Sequence, residues 1–267
     1  MLIIGELINC TRKRVREAAE KRDDVYIRSI ALKQVEAGAH MLDVNGGIAG
    51  QEAECLSWLV NVVQETVDVP LCLDSADARA LSAALPLCKY PPMINSITDE
   101  PARIAALLPL VKEHGLKVIA LCMGESGPPA GLEDRLATAG RLVDRLTGEG
   151  VALDNIYVDA CVMPVSTGPE HPRAVLEAVG QIMAKYPGIH TSVGVSNVSF
   201  GLPVRKLLNQ VYLSLLMARG LDTVVADACD RQSMMNVAAA EALLGRDEFC
   251  VEYLRLFRDG KLELAPA

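Results

Sequence analysis

The segment GAHMLDVN, at Gly38–Asn45, combines the features that decide the fold of this chain. Gly38 follows a helical pattern, at the usual position of a helix C-cap. An apolar strand comes next, and it ends in the polar residues Asp43 and Asn45. The same order of helix, glycine, strand and polar strand end recurs along the chain. It predicts parallel strands that alternate with helices.

Eight apolar runs predict strands, and segments with apolar residues three and four positions apart predict helices between them. The predicted strands are Leu2–Ile8, His40–Asn45, Leu71–Asp74, Met93–Asn95, Lys117–Leu121, Ile156–Asp159, His190–Val195 and Thr223–Ala226. The predicted helices include Tyr26–Ala37, Leu56–Thr66, Ala102–Glu113 and Leu132–Leu146. Gly115 and Gly220 repeat the cap position of Gly38. Eight such units predict an α/β fold, a (β/α)8 TIM barrel that forms a single domain over residues 1–267. An open doubly wound sheet is the alternative, but no GxGxxG motif opens the first helix.

Composition excludes several classes of protein. The net charge of −8 and the absence of a basic run argue against nucleic-acid binding. No apolar stretch is long enough for a membrane span, and the N-terminus MLIIGELINC lacks a basic signal region, so we expect a cytoplasmic protein. The eight cysteines contain no CxxC pair, which favours reduced core residues over disulfides or a zinc site.

Polar side chains follow nearly every predicted strand. They are Glu6 and Asn9, Asp43 and Asn45, Asp74 and Ser75, Asn95 and Ser96, Asp159, Ser196 and Asn197, and Asp227 and Asp230. Helix capping is an alternative explanation for any one of them, Asp74 and Asp227 in particular. Because catalytic groups of such barrels lie at the carboxyl ends of the strands, the joint pattern predicts one polar pocket.

Residues that are missing from the strand ends narrow the chemistry of this pocket. No lysine is placed for a Schiff base, and His40 and His190 open strands, at the opposite face of the barrel. The acidic last loop, ADACD, disfavours a phosphorylated substrate, and we predict no metal site. Carboxylates and amides without these groups favour a neutral, nitrogen-rich heterocycle, such as a pterin or a purine.

Several segments, taken together and in order, resemble a known family. They are IIGELIN at Ile3–Asn9, GAHMLDVN, LCLDS at Leu71–Ser75, MINS at Met93–Ser96, YVDA at Tyr157–Ala160, GVSNVSFGLPVR at Gly194–Arg205 and VADACD at Val225–Asp230. The chain resembles the methyltetrahydrofolate- and corrinoid-dependent methyltransferases. These are pterin-binding barrels related to dihydropteroate synthase and to the folate domain of cobalamin-dependent methionine synthase. The resemblance covers essentially the whole chain.

The resemblance implies a role for each of ten residues. It implies that Asp74, Asn95 and Asp159 hydrogen-bond the pterin ring and that Asn197, the catalytic residue, lies near N5. The residues implied to complete the folate site are Gly194, Ser196, Arg205, Asp43, Asn45 and Asp227. One position departs from the pattern: Phe200 stands where an acetogen member has Gln, and the methionine synthase domain is similar to this chain there.

The resemblance also implies the reaction, which is methyl transfer between N5 of tetrahydrofolate and the cobalt of a corrinoid. No cobalamin-binding motif occurs, so we expect the cobalamin to arrive on a separate corrinoid protein. A homodimer is implied as well, and apolar outer helices such as Val211–Met217 allow it. Two alternatives stay open, a non-catalytic folate-binding subunit and an enzyme like dihydropteroate synthase. The direction of transfer stays open too.

Overall fold

The computed structural model describes residues 1–263, in which eight strands form one sheet surrounded by helices. The strands are β1 (Leu2–Asn9), β2 (Met41–Asn45), β3 (Leu71–Asp74), β4 (Met93–Asp99), β5 (Lys117–Gly124), β6 (Ile156–Asp159), β7 (His190–Ser192) and β8 (Thr223–Ala226). The α-helices are α1 (Lys13–Lys21), α2 (Asp24–Glu36), α3 (Glu52–Gln64), α4 (Ala78–Ala84), α5 (Pro101–His114), α6 (Leu132–Gly148), α7 (His171–Lys185), α8 (Arg205–Ala218), α9 (Arg231–Leu243) and α10 (Val251–Arg258). The predicted domain extends to residue 267, and residues 264–267 lie outside the described part.

The sheet closes into a barrel. Its order is β7-β6-β5-β4-β3-β2-β1-β8, with every pair parallel. The last seam closes just beyond β7, where the Val225 N–H donates to the Val193 carbonyl at 2.9 Å and Gly194 bridges Val225. The predicted (β/α)8 barrel is therefore confirmed.

The strand bounds differ from prediction mainly at the carboxyl ends. β3, β6 and β8 have the predicted bounds, but β4 continues to Asp99 after a register shift that follows Asn95. β7 ends at Ser192 instead of Val195, because the chain enters a 3-10 turn at Val195–Ser199. This turn carries Ser196 and Asn197.

Glycine ends three of the helices as predicted. Gly38, Gly115 and Gly220 have φ angles of 109°, 60° and 108°, in the left-handed region that a side chain disfavours. The strands that follow therefore start at the expected positions.

Buried apolar residues form an inner core inside the barrel and a larger outer core between sheet and helices. The inner core consists of Ile4, Met41, Cys72, Met93, Ile119 and Tyr157. All eight cysteines are free, but Cys229 and Cys250 are exposed. The prediction that cysteines lie in the core is wrong for these two, because both lie in connections at the ends of α9 and α10. Among the described helices, none combines the length and the hydropathy that a membrane crossing requires.

Candidate active site at the carboxyl ends of the strands

The inner core sets the position of the site. Side chains of a strand alternate in direction, so the residue two positions after a core residue points into the barrel one layer higher. Counting two residues on from the inner core gives Glu6, Asp43, Asp74, Asn95 and Asp159. Val225, which packs against the same core, leads in the same way to Asp227. The fold thus brings most of the predicted polar strand ends to one mouth.

Two amides orient the carboxylates of β2 and β3. Asn45, Asp74 and Asn95 are register partners on three adjacent strands. The Asn45 Nδ2 donates to Asp74 Oδ2 at 2.9 Å, and the Asn95 Nδ2 donates to Asp43 Oδ1 at 3.1 Å. Within residues 1–263, the second oxygen of Asp74 and the side-chain carbonyl of Asn95 accept no hydrogen bond, so both can accept one from a ligand.

Asp43 is more deeply buried than Asp74 and Asp159. Its side chain is buried, and burial raises its pKa well above the ordinary value, with the charge of Asp74 adding to the shift. The Asn95 hydrogen bond acts in the opposite direction. Asp43 therefore orients Asn95 from beneath, and this geometry favours a supporting role over direct contact with a substrate.

Asp159 is a partly buried acceptor on the other side of the mouth. Its Oδ1 accepts the Cys161 N–H at 2.8 Å, and the Gly194 N–H donates to the same carboxylate. Burial nevertheless raises its pKa to about 6. Asp74 shows the same effect, since burial raises its pKa and the Asn45 hydrogen bond opposes this. Such carboxylates favour ligands that donate N–H groups.

Arg135 and Arg103 hold the loops of the site, and neither was predicted from the sequence to be a site residue. Arg135 is fully buried and donates to the carbonyls of Ala160 and Cys161 at 2.9 and 3.1 Å. These two residues directly follow Asp159 in the chain. Arg103 donates to the carbonyls of Ser96 and Ser75, at 3.0 and 2.7 Å. The signal in the sequence that could have identified such residues is a charged residue on the apolar face of a predicted helix.

The turn after β7 carries the Asn197 carboxamide. Asn197 is exposed, and its side chain makes no hydrogen bond within residues 1–263. It lies across Gly194, where a Cβ would approach the Asn197 Nδ2 to 3.2 Å. Gly194 therefore lets Asn197 lie close to the strand end while its N–H binds Asp159.

Ser196 and Arg205 fasten the same turn. The Ser196 hydroxyl donates to both oxygens of Glu6, at 2.9 and 3.1 Å. Arg205 donates to the Ser196 carbonyl at 2.6 Å and to Ser199 Oγ at 3.1 Å. Arg205 thus uses two of its nitrogens to brace the turn.

Asp227 closes the wall on the β8 side. Its Oδ1 accepts the Cys229 N–H at 2.9 Å, in the turn before α9, and the N-cap of α9 is Asp230. The charge of Asp227 contributes to raising the pKa of Glu6, after the larger effect of burial. Asp227 therefore combines a turn contact with a place beside the pocket.

The histidines that open strands lie at the other end of the barrel, as predicted. The His40 Nδ1 accepts the Ile3 N–H at 3.0 Å, and the His190 ring stacks on Tyr157 with centroids 4.5 Å apart. Within residues 1–263, no group of three or more His, Cys, Asp or Glu side chains is arranged to hold a metal ion.

A family model places these features in a known group of proteins. Residues 5–227 match the model described as pterin binding enzyme. The chain belongs to the pterin-binding enzyme family. The matched range begins on β1 and ends at Asp227, so it contains every strand end of the mouth.

Individual relatives of this pterin-binding chain differ in how much of their length it spans. It is 38% identical over 269 residues to a methylcorrinoid:tetrahydrofolate methyltransferase of Eubacterium limosum, with 98% of each chain covered. It is 31% identical over 242 residues to methionine synthase of Mycobacterium tuberculosis, covering 85% of this chain and 20% of that protein. The chain thus corresponds to about a fifth of the methionine synthase.

Solved structures with the same fold include dihydropteroate synthases. That of Yersinia pestis aligns with a TM-score of 0.69 at 16% identity, over 91% of this chain and 93% of that one. The enzyme of Thermus thermophilus gives 0.67 at 20% identity, over 91% and 94%. At this level of identity, the likeness supports the barrel and not the reaction.

Proposed function

We propose that this chain is a methyltransferase that moves a methyl group between N5 of tetrahydrofolate and the cobalt of a separate corrinoid protein. The observation that carries the proposal is that the acceptors Asp74, Asn95 and Asp159 lie at one mouth with the carboxamide of Asn197. Similarity over nearly the full length to a methylcorrinoid:tetrahydrofolate methyltransferase supports the same reaction.

The pterin ring matches the acceptors of the pocket. Its amino group and ring N–H form a guanidine-like edge, which two carboxylates can accept with charge-assisted hydrogen bonds. Asp74 has one oxygen that Asn45 does not bind, and the side-chain carbonyl of Asn95 accepts no hydrogen bond from the described residues. Each N–H of a ligand donates a hydrogen bond that replaces one which these carboxylates lost when they were removed from water.

Asn197 acts at N5. Transfer from the folate breaks the N5–methyl bond and forms a cobalt–carbon bond, while N5 gains a proton and cobalt rises from Co(I) to Co(III). The reverse step returns the methyl group to N5, which loses its proton, and releases Co(I). A carboxamide both donates and accepts hydrogen bonds, so Asn197 can stabilise the charge on N5 in either direction.

The methyl group flows toward the folate in this proposal. The Eubacterium relative is named for a methylcorrinoid and tetrahydrofolate, in that order, which supports tetrahydrofolate as the acceptor. The sequence holds no cobalamin-binding motif, so the corrinoid is presented by a partner protein. That partner has to reach the side of the mouth where Asn197 is exposed.

We also propose that two copies of the chain form a homodimer through α8. Four of the seven residues of the predicted apolar segment Val211–Met217 face inward, since Tyr212, Leu213, Leu216 and Met217 are buried. Leu207, Val211 and Leu215 form an exposed stripe at four-residue spacing. An uninterrupted apolar stripe of this kind favours burial against another protein surface.

The reaction can be tested with free cofactors. Under anaerobic conditions, the protein is mixed with tetrahydrofolate and methylcob(III)alamin, and the cob(I)alamin spectrum and methyltetrahydrofolate are followed. We expect slow transfer that needs both the protein and the folate. Folate binding without transfer in either direction would leave a folate-binding subunit, and it would overturn the proposed reaction.

A further inference from the structure

Glu6 makes contacts that recognition of the pterin ring does not explain. It lies on β1, points into the mouth, and accepts one hydrogen bond from the Ser196 hydroxyl, which its two oxygens share at 2.9 and 3.1 Å. The Arg12 guanidinium contacts the same carboxylate at 2.8 Å. The side chain of Glu6 is only 15% exposed, whereas that of Arg12 is 45% exposed, so water screens the Ser196 contact less than the Arg12 contact.

Ser196, the residue next to Asn197, is held from two sides. The Ser196 hydroxyl is bound by Glu6, and the Ser196 carbonyl is bound by Arg205 at 2.6 Å. Asn197 itself makes only backbone hydrogen bonds in the described chain, through its N–H to Gly194 and its carbonyl to Phe200. The direction of the Asn197 carboxamide therefore depends on how firmly Ser196 is fixed.

We propose that Glu6 is a positioning residue for methyl transfer, because it fixes through Ser196 the turn that carries Asn197. This inference rests on the proposed function. Burial raises the pKa of Glu6, and the contacts with Ser196 and Arg12 oppose this rise without cancelling it. Glu6 thus joins β1 to the turn after β7, through a contact between residues that are 190 positions apart in sequence.

The effect of losing this link falls on the rate of transfer. Catalysis needs the carboxamide near N5 within a few tenths of an ångström, and a displacement of about 1 Å costs about a hundredfold in rate. The acceptors for the ring, Asp74, Asn95 and Asp159, lie on other strands and are held by other contacts. Removing Glu6 should therefore lower kcat while folate still binds.

The test compares Glu6→Ala, Ser196→Ala and Glu6→Gln in the methyl-transfer assay. We expect Glu6→Ala to lower kcat about tenfold to a hundredfold, with a change in folate Kd of less than about threefold. Ser196→Ala should match it, and the double variant should be no slower than Glu6→Ala alone. Glu6→Gln should restore part of the rate, since its carbonyl can still accept from Ser196.

A second cycle separates positioning from a general loss of structure. In an Asn197→Ala background, Glu6→Ala should slow transfer by less than about twofold, since the group that it positions is gone. Independent, multiplying losses would overturn the proposal, and so would a wild-type rate for Glu6→Ala. If Glu6→Ala does not fold, Ser196→Ala alone decides, because a wild-type kcat in that variant would also overturn it.

Asp99→Ala is the matched control. Asp99 is also a carboxylate at the end of a strand, 20% exposed and paired with Arg141 at 2.6 Å, but it has no contact with the turn after β7. We expect its kcat to stay within about twofold of wild type. If the wild-type protein transfers methyl groups and Glu6→Ala has the same kcat, only the role of Glu6 is refuted. Absence of transfer in the wild type refutes the proposed function instead.

Discussion

Asp159→Asn should make the folate-free protein more stable at alkaline pH while weakening folate binding. Burial raises the pKa of Asp159 from 3.8 to about 6, so the folded state carries an ionised carboxylate at about pH 8 against its preference. The protonated carboxyl stabilises the fold below about pH 4, and this stability is lost as the pH rises through about 6. An asparagine has no charge to bury at any pH.

The magnitude follows from the shift. A difference of about 2 pKa units corresponds to about 3 kcal/mol of unfolding free energy at about pH 8. Asparagine keeps a carbonyl toward the Cys161 N–H but loses an acceptor for a second backbone N–H, at a cost of about 1 kcal/mol. We therefore expect a net gain of about 2 kcal/mol at about pH 8, which disappears or reverses near about pH 4.

Urea unfolding at several pH values measures the first effect, and titration with tetrahydrofolate measures the second. Loss of a charge-assisted hydrogen bond should raise the folate Kd about tenfold to a hundredfold. Asp154→Asn is the control, because Asp154 is 81% exposed at the opposite end of the barrel and should change neither quantity. A variant that is less stable than wild type under alkaline conditions, by the same amount at every pH, would refute the reasoning.

Other expected outcomes concern single side chains with distinct roles. Asn197→Ala should lower the methyl-transfer rate by about 10²–10³ with a much smaller change in folate Kd, and equal losses in both would show a binding residue only. Arg135→Met should reduce the unfolding free energy by about 2–4 kcal/mol in urea, because the buried Ala160 carbonyl and the partly buried Cys161 carbonyl lose their donors. Val211→Glu should convert the proposed dimer to a monomer in light scattering without unfolding the chain, and an unchanged dimer mass would place the interface elsewhere.

The strand-end residues could be predicted because the alternation of a strand is local. Met41, Asp43 and Asn45 share one face of β2 whatever the rest of the chain does, and the same holds for Met93 and Asn95 on β4. The glycine caps also act locally, through φ angles that the neighbouring residues do not change. The barrel and most of its mouth followed from these short-range patterns.

Depth and pairing across the barrel could not be predicted in this way. Asp43 and Asp74 look alike in sequence, but Asp43 lies one layer lower and is buried beneath Asn95. The contact between Glu6 and Ser196 joins positions far apart along the chain. Arg135 looks like any charged helix residue until its three-dimensional neighbours are known. Each of these depends on how the sheet closes, which no local pattern encodes.

The charges of the mouth also bear on the choice between this reaction and that of dihydropteroate synthase. An enzyme of that kind has to hold an anionic pyrophosphate, which requires free cationic groups. Arg12 is paired with Glu6, and Arg205 braces Ser196. Asp227 stands close enough to raise the pKa of Glu6, so an added anion would meet two carboxylates. A folate whose N5 becomes cationic during transfer is attracted by the same carboxylates. The carboxylates that disfavour the binding of an anion therefore favour the methyl-transfer step.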